Sequence, residues 1–147
     1  MRDPTIDPWL LEFNDIFREN DSLYRSAAQR LGVPACTLWI LYSLRVESPP
    51  LTQAQLCRLI QQPRQTVNSA LKNLEREGAI TLSPGGDRRT REVALTPKGA
   101  ALAAQTADRL IEAEEQALAG LGPQEREGFL RAYRKLNQRL RETMGSM

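Results

Sequence analysis

The sequence PRQTVNSALKNLEREG, residues 63–78, is the most informative segment for predicting the fold. Its apolar residues recur at i, i+3, i+4 and i+7, which predicts a helix with one apolar stripe: Val67, Ala70, Leu71 and Leu74. Pro63 suits the first turn of this helix, and Gly78 suits a left-handed stop after it. The opposite face carries no apolar and no acidic side chain. It consists of Gln65, Ser69, Lys72 and Arg76, with Asn68 and Asn73 at its edges.

The segments on either side complete a recognisable unit. Leu51-Thr52-Gln53-Ala54-Gln55-Leu56 combines a capping box with a hydrophobic staple, so a short helix is expected from here to about Gln61. After Gly78 the apolar period changes from 3.6 to 2, which predicts strands at 79–82 and 91–95 around a turn at 83–87, with 88–90 at the exposed tip. Two short helices followed by a hairpin indicate a winged helix-turn-helix.

The rest of the chain is predicted to be helical. Apolar spacing predicts helices at 9–31 and 34–46, one long helix from 97 to Gly120, and a last helix at 124–143. The expected fold is mainly α (α+β), a winged helix-turn-helix lobe with a two-stranded wing plus N- and C-terminal helices that form a dimerisation lobe. The expected boundaries are 1–31 for the N-terminal dimerisation helix, 32–96 for the winged lobe and 97–147 for the C-terminal dimerisation helices.

Composition argues against an enzyme. The 147 residues include no histidine and only two cysteines, which removes the histidine-dependent catalytic triads and leaves too few ligands for a structural zinc site. No phosphate-binding glycine motif occurs. We therefore expect no catalytic residue, no metal and no cofactor. The first ten residues lack the apolar core of a signal peptide, and the cysteines suit a reducing compartment, so a cytoplasmic protein without a membrane partner is expected.

Charge points to double-stranded DNA as the partner. The net charge is only +2, but residues 51–98 hold eight Lys or Arg against four Asp or Glu, so a polyanion would meet this segment. Amides pair with adenine and Arg or Lys with guanine, while Arg at a hairpin tip suits a narrow minor groove. The candidate recognition-helix residues are Arg64, Gln65, Thr66, Asn68, Ser69, Lys72, Asn73 and Arg76, and the candidate wing residues are Asp87, Arg88, Arg89 and Arg91.

Two other interpretations of this face stay open. It is an ordinary solvated helix surface in the first. In the second, the winged helix is a protein-interaction module without sequence-specific DNA binding, which would favour exposed Leu, Phe or Met on the recognition face. Neither accounts for the arginine-rich hairpin that follows the helix.

The chain resembles the MarR family of bacterial transcriptional regulators. The resemblance lies in Gln65-Thr66-Val67, in Leu74-Glu75-Arg76-Glu77-Gly78, in Asp87-Arg88-Arg89 and in Leu95-Thr96-Pro97-Lys98-Gly99. It implies a homodimer whose terminal helices intertwine, with Arg89 in the minor groove and Asp87 paired with an arginine to hold the wing. The segment Gly32-Val33-Pro34-Ala35 departs from the family pattern, since it lacks the usual Ser or Thr cap of the second helix.

Apolar stripes on the terminal helices also predict self-association. A central lobe of this size cannot cover them all, so we expect a homodimer through Trp9, Phe13, Phe129, Tyr133, Leu136 and Leu140. Packing of the first helix on the last within one chain is the alternative. The family resemblance implies a small-molecule effector between the two lobes. The candidate lining residues are Phe13, Phe17, Trp39, Tyr42 and Arg45, with plain core as the alternative, and Cys36 near a helix start is a candidate thiol of lowered pKa.

Overall fold

The structure is a computed structural model that describes residues 1–47, 50–86 and 90–147. Along these residues the elements run α1 (Pro8–Leu31), α2 (Ala35–Val46), β1 (Leu51–Thr52), α3 (Gln53–Ile60), α4 (Arg64–Arg76), β2 (Ile80–Pro84), β3 (Arg91–Leu95), α5 (Pro97–Gln105), α6 (Ala107–Ala119) and α7 (Pro123–Met144). The chain divides into two compact units, Met1–Leu110 and Ile111–Met147.

Local capping explains where the helices of the first unit begin. Asp7 accepts a hydrogen bond from the Trp9 amide at the start of α1, with a proline in the first turn. At α3, Thr52 accepts from the Gln55 amide while the Gln55 side chain accepts from the Thr52 amide, which is the expected capping box. Gly78 follows α4 at φ 77°, a backbone conformation that costs glycine little.

The core of the winged helix-turn-helix joins α2, α3, α4 and the sheet. It consists of Cys36, Ile40, Leu44, Leu51, Leu56, Val67, Ala70, Leu71, Leu74, Ala79, Ile80 and Val93. The whole predicted apolar stripe of α4 is therefore buried, and the polar face opposite it must point away from this core.

The sheet has three antiparallel strands in the order β1-β3-β2. The two-stranded wing, β2 with β3, is present as expected, with Leu82 opposite Val93. The additional strand β1 was not expected, because its two residues were predicted only as the start of α3. Thr52, the N-cap of α3, also pairs with Glu92, and Leu51 before it pairs with Val93. This pairing fixes the start of α3 against the base of the wing.

The prediction of one long helix from 97 to 120 is wrong. The helix breaks at Thr106, whose backbone leaves the helical region at φ −127° and ψ −84°. The Thr106 hydroxyl donates to the Leu102 carbonyl at 2.7 Å, a local bond of the kind that bends helices. The break lies in a second buried cluster, which consists of Ala28, Leu38, Leu41, Ala103, Ala107 and Leu110.

The end of α4 is bonded to the start of α5. Thr96 donates from its hydroxyl to the Gly78 carbonyl and from its amide to the Ala79 carbonyl, and Lys98 Nζ donates to the Glu77 carbonyl at 2.6 Å. Gly99 completes the junction, because a Cβ at this position would lie 1.8 Å from the Ala79 carbonyl oxygen. Only glycine lets the first turn of α5 approach so closely.

Candidate nucleic-acid interface

Helix α4 presents the face that the sequence singled out. Its buried stripe points inward, and the side chains opposite are exposed except for Asn68, which is half-buried: Arg64, Gln65, Thr66, Ser69, Lys72, Asn73 and Arg76. The face offers amide, hydroxyl, ammonium and guanidinium groups to the outside, so it can make hydrogen bonds to the edges of bases.

The first turn of α4 is suited to an anion. Pro63 occupies the N-cap position and makes no side-chain cap, so the free amides of the first turn and the helix dipole act together on whatever lies in front of them. Arg64 is the first helical residue and is exposed. A phosphate oxygen is the kind of group that this arrangement binds.

Asn68 is held in place by a residue that the sequence analysis did not assign to the site. Gln53, the first residue of α3, donates from Nε2 to Asn68 Oδ1 at 2.6 Å. The sequence of this segment predicts only the capping box of α3. A contact between Gln53 and Asn68, 15 residues apart, has no local sequence pattern that would predict it. The bond orients the Asn68 amide, so Gln53 positions one side chain of the polar face of α4.

A polar cleft connects α4 with the base of the wing. Its volume is about 270 Å³, and it lies between the starts of α3, α4 and β3. Arg64 and Arg91 both line it, together with the Gln53–Asn68 pair, and none of its lining residues is acidic. The structure therefore brings Arg91 of the predicted wing set next to α4, the predicted recognition helix.

The remaining wing residues of the prediction, Asp87, Arg88 and Arg89, lie outside the described residues. On either side of them, the Gly85 amide donates to the Thr90 carbonyl at 2.6 Å. That bond continues the β2–β3 ladder beyond Pro84 and Arg91, so the strands run antiparallel up to this point.

The predicted effector residues do not form one group. Trp39 contacts both Tyr24 and Tyr42, with ring centroids 5.5 and 5.3 Å apart. Trp39 and Tyr42 line a cleft of about 370 Å³ between α2 and the end of α3. Phe13 and Phe17 do not line this cleft, and their ring centroids lie 6.5 Å from each other.

Arg45 has a structural contact instead. Its Nε lies 2.9 Å from Asp108 Oδ1, and its Nη2 donates to the Ala100 carbonyl at 3.2 Å. This guanidinium joins α2 to the segment on both sides of the Thr106 break. Because its partners are Ala100 in α5 and Asp108 in α6, the Arg45 guanidinium points toward these two helices. Arg45 does not line the cleft beside Trp39.

Cys36, the candidate thiol of lowered pKa, has a raised pKa instead. Burial raises the pKa of the Cys36 thiol, and the nearby Cys57 raises it further. Cys36 packs in the core of the winged lobe, where the charged thiolate is disfavoured. The position near a helix start was a poor guide here, because burial of the thiol is the largest cause of the shift and raises the pKa.

The residues predicted to join two copies are largely uncovered in the single chain. On α1, Trp9 is 86% exposed and Phe13 is half-buried. On α7, Phe129 and Tyr133 stack at 5.6 Å and are both exposed, Leu136 is exposed, and Leu140 is half-buried. Each helix thus carries an apolar stripe that its own unit does not bury.

None of the helices in the described ranges combines the length and the hydropathy needed to cross a bilayer.

Comparison with known proteins agrees with this geometry. Residues 31–90 match the model of the MarR family. No curated protein sequence matches the chain. Among solved structures, NMB1585, a MarR family regulator from Neisseria meningitidis, aligns with a TM-score of 0.78 and 22% identity over 96% of this chain and 99% of its own.

Two further structures concern DNA binding by their own proteins. The S. aureus MepR–DNA complex aligns with a TM-score of 0.68 and 22% identity over 92% of this chain and 99% of its own. Bordetella bronchiseptica BpsR, whose DNA binding is regulated by 6-hydroxynicotinic acid, aligns with a TM-score of 0.64 and 21% identity over 86% of this chain and 98% of its own. The MarR family model thus matches the winged helix-turn-helix of this chain, and the chain shares its fold with these regulators.

Proposed function

We propose that the protein is a homodimeric, sequence-specific transcriptional regulator, most simply a repressor that blocks a promoter. The observation that carries the proposal is the face of α4. Seven of its polar side chains are exposed, its apolar stripe is fully used by the core, and its uncapped first turn favours an anion.

In this proposal α4 lies in the major groove and the wing in the minor groove. Gln65, Ser69 and Lys72 contact base edges, and Asn68 does so in the orientation that Gln53 gives it. Arg64 and Arg91 bind the phosphates on either side of the polar cleft. Arg89 would then enter the minor groove, and Asp87 would pair with an arginine to hold the wing, as the family resemblance implies.

The dimer forms through the exposed stripes of α1 and α7. Isolated exposed apolar residues are ordinary on a protein surface, but contiguous stripes on two helices mark an interface. The lobes of the proposal are 1–31 and 97–147 for dimerisation and 32–96 for DNA. A two-fold dimer places its recognition helices about 34 Å apart, so the operator would be an inverted repeat.

A small-molecule effector is part of the proposal. BpsR supports it, since its DNA binding is regulated by 6-hydroxynicotinic acid. A ligand releases DNA only when it binds better to the conformation that cannot bind DNA.

The test is footprinting on genomic fragments followed by titration of the protected site at several salt concentrations. We expect an inverted repeat and an affinity that falls by several log units per log unit of salt, because each phosphate contact releases counterions. Arg64→Ala should reduce that slope by about one per bound protomer, whereas Arg134→Ala, on the exposed surface of α7, should leave it unchanged. Uniform, sequence-independent protection would refute the proposed regulator and leave the protein-interaction module.

A further inference from the structure

The cleft beside Trp39 lies inside the winged lobe. It opens between the C-terminal half of α2 and the last turn of α3, with a volume of about 370 Å³, which is within the range of small-molecule sites. Its main lining residues are Trp39, Tyr42, Val46, Glu47, Leu59 and Gln61. Val46 is 50% exposed and Leu59 46% exposed, so apolar surface at this opening is left in contact with water.

The chemistry of the lining selects the charge of a ligand. Two aromatic side chains and several aliphatic ones form its walls, and no lysine or arginine lines it. Glu47 supplies the single formal charge, and no cationic side chain in the described ranges pairs with it. An aromatic wall and a carboxylate both attract a cation, and both disfavour an anion.

We propose that this cleft is an effector site for a small aromatic monocation, and that its occupancy changes the affinity of α4 for DNA. The first part stands on the cleft alone, while the second rests on the proposed function. The ligand places its ring among Trp39, Val46 and Leu59, and its positive charge beside the Glu47 carboxylate.

The connection to DNA runs through the turn between α3 and α4. Leu59, Ile60 and Gln61 line the cleft, and Gln61 is the only non-glycine residue of the described ranges with a positive φ, 54°. Such a conformation persists only where the surrounding structure holds it. Three residues later α4 begins at Arg64, so a ligand that presses on this turn acts on the start of the recognition helix.

Calorimetry on the DNA-free protein tests the site. Phenyltrimethylammonium is the cationic probe, and benzoate and salicylate are the anionic ones. We expect the cation to bind with a dissociation constant below about 1 mM and both anions to bind more weakly. No binding of the cation, or tighter binding of either anion, would overturn the proposed ligand class.

Two variants locate the binding. Glu47→Gln keeps the shape and removes the charge, so it should weaken the cation about threefold to fivefold, as for a solvent-accessible ion pair. Leu59→Trp fills the cleft and should abolish binding. Glu115→Gln, an exposed carboxylate on α6, is the matched control and should change nothing. Unchanged affinity in both cleft variants would place the probe elsewhere and overturn the site.

The second part is tested by repeating the titrations with the footprinted operator. The cation should change operator affinity, and the operator should change cation affinity by the same factor, since the coupling is reciprocal. Binding of the cation with no change in operator affinity would overturn the regulatory role and leave the site intact. Absence of any operator would refute the proposed function, while the DNA-free calorimetry would still decide the site.

Discussion

Helices α4 and α7 have the same amphipathic pattern in opposite surroundings. The stripe of α4, with Val67 and Leu71 at its centre, is completely buried within one chain. Helix α7 repeats the pattern over 22 residues, yet none of its residues is buried, and Phe129 is 53% exposed. An apolar stripe therefore predicts that this face of a helix packs against a partner, but it does not tell whether the partner belongs to the same chain.

The largest expected effect comes from charging the uncovered stripes. Phe13→Asp together with Tyr133→Asp should raise the dimer dissociation constant at least about a thousandfold, because a symmetric interface would bury four unpaired carboxylates. Sedimentation would show monomers, and operator binding would be lost. Ser22→Asp with Arg131→Asp, on the opposite faces of the same helices, should leave the dimer intact. A dimer that survives the first pair contradicts the proposed interface.

Substitutions in the buried stripe of α4 should lower the stability of the fold and leave dimer assembly unaffected. Leu71 is 0% exposed, so Leu71→Ala should lower the free energy of unfolding by about 2–5 kcal/mol through lost packing and a residual cavity. Leu59, which is 46% exposed in the same lobe, is the control. Leu59→Ala should lower the free energy of unfolding by less than about 1 kcal/mol. Urea titration followed by circular dichroism measures both. Equal costs would mean that the core is assigned to the wrong face.

The polar face of α4 should respond in specificity. Gln65→Ala and Asn68→Ala should each relax discrimination at particular base pairs by about 1–3 kcal/mol. Gln53→Ala should relax the same base pair as Asn68→Ala, because Gln53 holds the Asn68 amide. Competition binding with singly substituted operators measures this, with Gln116→Ala on α6 as the control. If all three variants keep full sequence preference, α4 does not read bases.

The smallest of these effects concerns the start of α3. Thr52→Ala removes the oxygen that accepts from the Gln55 amide and should cost about 1 kcal/mol of the free energy of unfolding. Thr52→Ser keeps that oxygen and should recover most of the loss. A neutral Thr52→Ala would show that pairing of β1 with β3, and not the cap, holds this segment.

The features that the sequence predicted correctly depend on residues that are close together along the chain. The capping box at Thr52, the left-handed stop at Gly78 and the buried stripe of α4 each depend on residues within a few positions, and all were anticipated. The polar face of α4 follows from the stripe, because the core takes one side of the helix and leaves the other to solvent.

What it missed depends on residues far apart. The strand β1 exists only because Leu51 meets Val93, and the orientation of Asn68 depends on Gln53 in another helix. The break at Thr106 has no proline or glycine to announce it. Arg45 was assigned to a ligand pocket on its position in α2, but its partner Asp108 lies 63 residues away.

The junction around Gly99 governs how α4 can move. Three hydrogen bonds join residues 77–79, directly after α4, to Thr96 and Lys98 at the start of α5, and no methyl group fits at Gly99 between them. We therefore expect α4 and α5 to move together as one rigid unit. Under the proposed function, a displacement of α5 would therefore reorient α4 while both helices stay folded.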